Sequence, residues 1–114
     1  EEEIVEDKKE EAYTYVEEMP SFPGGNDEVM KFIVSNIAYP EIAKRAGVSG
    51  RVMVQYVVEK TGEITNVSVL KGIGAGCDEE AVRVVKMMPN WKPGKQNGKP
   101  VRVKMVVPIL FRLQ

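Results

Sequence analysis

Between positions 101 and 113 every odd-numbered residue is apolar: Val101, Val103, Met105, Val107, Ile109, Phe111 and Leu113. Arg102, Lys104 and Arg112 mark the even positions. A period of two sustained over that length fits an extended strand with one buried and one wet face. Within it stands Pro108, which has no backbone N–H and cannot donate to a ladder. The strand therefore has to lie at a sheet edge with the missing donor turned outward. Backbone groups alternate from side to side along a strand. Without a bulge, the even residues Arg102, Lys104, Val106 and Leu110 present their donors and acceptors outward. Two readings of such an edge stand open at this point. Natural sheets blunt long edges with Lys, Arg or Pro, and an extended peptide can add to one as a further strand.

The rest of the chain supplies a partner for that strand and a cover for its apolar face. In 51–59, Val52, Val54, Tyr56 and Val58 alternate with Arg51, Met53, Gln55 and Val57, and in 64–71 Val67 and Val69 alternate with Asn66 and Ser68. Lys60-Thr61-Gly62-Glu63 joins them, with a glycine able to take positive φ, so the two runs form a β-hairpin. Asn26 is placed to cap a helix over 27–36, whose first turn carries Asp27 and Glu28 and whose buried stripe is Val29, Phe32, Ile33 and Asn36 or Ile37. Pro40 suits the start of a short helix through Ala46, closed by Gly47. A further helix runs over 78–88, with Ala81, Val82, Val85 and Met87 or Met88 as its stripe, and Pro89 ends it. Tyr13-Thr14-Tyr15-Val16 is β-branched and aromatic and can add an edge strand before Met19-Pro20. Residues 89–100 read as a turn-rich crossing to the last strand. The expected fold is α+β: a two-layer domain with two helices packed on one face of a three-stranded antiparallel sheet.

Composition removes most catalytic chemistry. The 114 residues include no histidine and one cysteine, which excludes His-based triads, Cys-His dyads and the usual zinc, haem and iron–sulfur ligand sets. No apolar run reaches the length of a membrane span. The formal net charge of −1 hides two unlike parts. Residues 1–11 carry seven acids against Lys8 and Lys9, and read with residue 12 as the end of an acidic linker, leaving 13–114 as the domain. From Lys92 onward there are six bases and no acid. That end is either an ordinary solvated face or a surface for an anionic or polar-peptide partner, whose association weakens as salt rises. No aromatic ladder or known module accompanies it, so nucleic acid is not expected.

Candidate sites elsewhere have plainer explanations. Gly72-Ile73-Gly74-Ala75-Gly76 precedes a helix but lacks phosphate-loop spacing, and the Asp78-Glu79-Glu80 that follows would repel a phosphate. Those acids match the helix dipole. Cys77 sits where a thiol pKa can fall, yet free cysteine is commonly a small interior hydrophobe. Trp91 reads as a plug between a helix end and the sheet.

Six motifs in one order carry a resemblance. They are Tyr39-Pro40 with Ala43; Gly50-x-Val52-x-Val54; Gly62-Glu63-Ile64; Asp78 with Ala81; Trp91-Lys92-Pro93-Gly94-Lys95; and Pro108-Ile109-x-Phe111-x-Leu113. Together, over residues 18–113, they resemble the C-terminal domain of TonB, and Met19-Pro20-x-Phe22-Pro23-Gly24-Gly25 with Met88-Pro89-x-Trp91 is similar to the Bacteroidetes type. Cys77 and Pro108 depart from the family pattern.

The resemblance implies an energy transducer, not an enzyme, with no catalytic, cofactor or metal residues. Such proteins have an inner-membrane helix associated with ExbB and ExbD, a periplasmic linker, and this domain in the periplasm. The domain grips the TonB box of an outer-membrane transporter and passes a pull to its plug. Mapped onto this sequence, the gripped peptide adds along Arg102, Lys104, Met105, Val106, Val107, Pro108 and Leu110. Asn36, Ile37, Tyr39 and Pro40 touch the plug or rim. Three other roles stay open: an envelope scaffold binding peptidoglycan through Arg51, Gln55, Arg102 and Lys104; a homodimer pairing through the same edge; and the terminal domain of a different membrane protein.

Overall fold

The alternation that starts at Arg51 becomes the centre of a three-stranded antiparallel sheet. The structure, a computed structural model, describes residues 11–113, so the first ten positions of the expected acidic linker lie outside the described residues. Strand β1 (Gly50–Val58) is flanked by β2 (Ile64–Lys71) and β5 (Val103–Phe111), in the order β2-β1-β5. Helix α1 (Asp27–Asn36) and the short α2 (Glu41–Ala46) precede the hairpin, and α3 (Cys77–Lys86) follows it. A second, two-stranded sheet pairs β3 (Gly94–Gln96) with β4 (Lys99–Val101). The class is α+β, and among the described residues no helix is long and apolar enough to cross a membrane.

The core lies between the helices and one face of the large sheet. Val52, Val54, Tyr56 and Val58 of β1 and Val107, Ile109 and Phe111 of β5 meet Val29 and Ile33 of α1, Ala43 of α2, and Cys77, Ala81, Val84 and Val85 of α3. These are the residues that periodicity sends inward, and their removal from water is the main force holding the layers together. Trp91 seats between Phe22 and Tyr56, with ring centroids 5.6 Å from each, as the plug expected of it. Gly62 makes that seat possible: it stands at φ +93, and a Cβ there would come within 2.0 Å of the Trp91 carbonyl. Burial raises the Cys77 thiol pKa, with Asp78 and Glu79 adding to the rise, so Cys77 is a core residue and not an activated thiol.

Several sequence expectations need correction. The last strand does not run unbroken from 101 to 113: it breaks at Arg102, where β4 ends and β5 begins. The break follows from residues 89–100, which contain a hairpin turned at Asn97 (φ 54) and Gly98 (φ 77), a pair suited to a tight turn. Arg102 is not on the wet face. Its guanidinium is buried against Glu59, with Nε 2.7 Å from Oε1 and Nη2 3.1 Å from Oε2. In α3 the buried stripe uses Val84, with Val82 only half-buried. Asn26 does hold the N-cap position of α1, but its side chain turns back to accept the Phe22 N–H at 3.1 Å instead of capping the helix.

Candidate functional site at the sheet edge

The two outer strands of the large sheet differ in the edge they offer. Pairing of β2 with β1 slips twice, between Met53 and Val54 and between Gln55 and Val57, and Asn66 in β2 stands at φ 51. Such bulges twist an edge and interrupt its row of donors and acceptors. Pairing of β5 with β1 is continuous, from Gly50 opposite Phe111 to Val58 opposite Val103. The outer side of β5 is therefore the regular edge, as Pro108 requires.

Which backbone groups face outward is fixed by a contact at one end. Tyr13 bridges to Val103 in parallel: its N–H donates to the Arg102 carbonyl at 2.8 Å, and the Lys104 N–H donates to the Tyr13 carbonyl at 2.7 Å. Even residues thus point their backbone groups away from β1, and with no register shift in β5 the same holds at Val106, Pro108 and Leu110. The expected strand at 13–16 is reduced to this one bridge. Beyond it, no described strand pairs with the outer side of β5.

The side chains fit the same alternation. Val103, Val107, Ile109 and Phe111 are buried and Met105 is half-buried, whereas Lys104, Val106, Pro108 and Leu110 are exposed. Val106 and Leu110 are each 45 % exposed, and Pro108 lies opposite Met53 across the pair, so the uncovered face carries an apolar row beside the edge. Of the residues expected to bind a peptide, Lys104, Val106, Pro108 and Leu110 form one continuous edge. Met105 and Val107 lie in the same strand but spend their backbone groups on β1. Arg102 contributes a carbonyl already held by Tyr13, and its side chain belongs to the Glu59 pair.

The second expected stretch follows α1. The Asn36 side chain donates to the Phe32 carbonyl at 2.8 Å, and the Ile37 N–H donates to the Ile33 carbonyl at 2.9 Å, closing the helix. The Tyr39 hydroxyl donates to the Val48 carbonyl, and its ring meets Phe111 edge-on at 5.6 Å. The loop thereby abuts the far end of β5. It is pinned by two residues that sequence reasoning passed over. Glu80 accepts the Ala38 N–H at 2.7 Å, and Arg83 donates to the Asn36 carbonyl at 2.9 Å. Glu80 and Arg83 also pair with each other at 2.6 Å, which holds the Glu80 carboxyl below the usual carboxylate range. Their i,i+3 spacing on a helix was the available signal.

What this arrangement offers is backbone hydrogen bonding along one strand. Comparison with known proteins bears on what such an edge serves. The family model for the C-terminal region of Gram-negative bacterial TonB proteins matches residues 35–113. A solution structure of the Helicobacter pylori TonB C-terminal domain superposes with a TM-score of 0.58 at 23% identity, covering 77% of this chain and 92% of that one. A longer form of the same domain gives 0.58 at 24% identity, covering 79% and 84%. A comparison with curated protein sequences returns no match. With the family model spanning most of the described residues and the fold shared with those structures, the chain belongs to the TonB C-terminal domain family.

Proposed function

We propose that this is the transporter-binding domain of a TonB-type energy transducer, acting in the periplasm. It grips the extended TonB box of outer-membrane transporters as an added strand on β5 and passes on the force generated at the inner membrane with ExbB and ExbD. The observation that carries the reading is the bulge-free edge that lies open beyond the Tyr13 bridge, from the Lys104 carbonyl to Leu110, set against a β2 edge that is bulged twice. Main-chain pairing tolerates sequence variation in the added strand, which suits one domain serving several transporters. It also suits pulling, because ladder bonds loaded along the strand share the load and break together. The loop carrying Asn36, Ile37, Tyr39 and Pro40 extends the contact toward the transporter plug, and Tyr39, packed edge-on against Phe111, ties that loop to the gripping strand.

Disulfide capture tests this reading. Single cysteines at Val106 and Leu110, and as a control at Ser68 on β2, are offered synthetic transporter N-terminal peptides carrying one cysteine. Cross-linking confined to the β5 positions is expected; equal capture at Ser68, or none at β5, contradicts the proposal.

A further inference from the structure

Tyr13 occupies the first position of the very edge that the proposed function uses. Its two hydrogen bonds close the Arg102 carbonyl and the Lys104 amide. After Tyr13 the chain turns away: Tyr15 is 80% exposed, and Val16 is buried again. From there the segment is firmly held. Glu18 exchanges two backbone bonds with Lys95, Ser21 exchanges two with Lys92, and the Glu17 side chain accepts the Asn97 N–H at 2.8 Å. Tyr13 is thus the exposed end of an anchored strap, and it can leave β5 without disturbing Val16 or the bridges beyond it.

We infer that residue 13 and its flanks form a displaceable plug on the gripping edge, which limits a partner strand to the part beyond Lys104 until the plug is released. The inference rests on the reading that β5 accepts a partner strand. With Tyr13 in place, the outward groups left along the edge are the Lys104 carbonyl, both groups of Val106, the Pro108 carbonyl and both groups of Leu110. Release adds the Arg102 carbonyl and the Lys104 amide, two further ladder bonds for any strand long enough to reach them. Chain N-terminal to Tyr13 leads directly out of this bridge, so tension from that side loads the plug first. The edge then lengthens when the domain is pulled, and the grip strengthens under load.

Tyr13→Pro removes the donor to Arg102 while leaving Val16 and the strap in place, and a chain lacking residues 1–13 removes the plug altogether. Affinities are measured for synthetic transporter N-terminal peptides of five residues and of nine. Net backbone bonds are each worth roughly two- to twelvefold in an equilibrium, so the nine-residue peptide should gain on the order of tenfold in either variant and the five-residue peptide should not change. Hydrogen exchange without peptide should show the Lys104 amide protected in the parent and faster in the variants, with Met105 and Val107 unchanged. Peptides that bind the parent and both variants alike overturn the plug while leaving strand addition standing. Peptides that bind none of the three overturn strand addition, and the plug with it.

Discussion

Proline at position 106 separates the outward role of this strand from its inward one. Four even residues line the open edge, but the Lys104 amide is held by Tyr13 and Pro108 has none, so Val106 and Leu110 supply the remaining N–H donors. Val106→Pro removes one of these two and puts a ring where the partner carbonyl must sit. A lost ladder bond and an unpaired partner carbonyl together cost about 2 kcal/mol, or roughly thirtyfold in affinity. The fold should barely respond, because that amide faces away from β1, the side chain is 45 % exposed, and Pro108 is already accommodated two residues on. Val107→Pro is the contrast. Its amide faces Val54 in β1 and its side chain is 6 % exposed, so the same substitution should cost about 3 kcal/mol of stability or more. Peptide affinity by fluorescence anisotropy and stability by urea denaturation give both readings. A folded Val106→Pro domain that binds as tightly as the parent, or a Val107→Pro domain of undiminished stability, refutes the assignment of which backbone groups face out.

Three further outcomes follow from the packing. Arg102→Ala leaves the Glu59 carboxylate without its two-pronged partner in a largely buried setting, and should lower stability by about 2 kcal/mol in urea; Arg102→Lys should recover less than half of this, since an ammonium cannot bridge both oxygens. Gly62→Ala forces a Cβ against the Trp91 carbonyl at positive φ, and should cost at least about 2 kcal/mol, read as a drop in the thermal midpoint with loss of near-ultraviolet tryptophan signal. Glu80 has a lowered pKa in the folded chain, so its contribution to stability is complete above the unperturbed value of 4.5 and is lost as pH falls through the lower folded value. Glu80→Gln should therefore narrow the stability gap between pH 6 and pH 3, and an unchanged gap contradicts the role given to the Arg83 pair.

What was legible in the sequence was what short-range periodicity controls. The hairpin of β1 and β2, the bounds of α1, and the edge position of β5 each follow from repeating patterns and one proline, and the structure carries them without revision. What was not legible depended on partners distant along the chain. Arg102 sits at a position whose parity points to water, yet a carboxylate 43 residues away draws it inward. Strands of three residues such as β3 and β4 are too short for any period, and only Asn97-Gly98 marked their turn. At the candidate site, Pro108 showed where the edge lies, but nothing local to 101–113 told that Tyr13 would cover its beginning. Glu80 read only as a first-turn acid and Arg83 was passed over, because the loop they pin follows α1, some forty residues earlier in the chain.

The most direct test of strand addition follows the backbone amides of the labelled domain by NMR while a synthetic transporter N-terminal peptide is added. Gripping on β5 predicts that the Val106 and Leu110 amides shift most and exchange slowly with solvent only when peptide is bound, with Ser68 and the rest of β2 unmoved. Shifts centred on β2 or the helices, or saturating binding that leaves the Val106 and Leu110 amides exchanging as before, would contradict it.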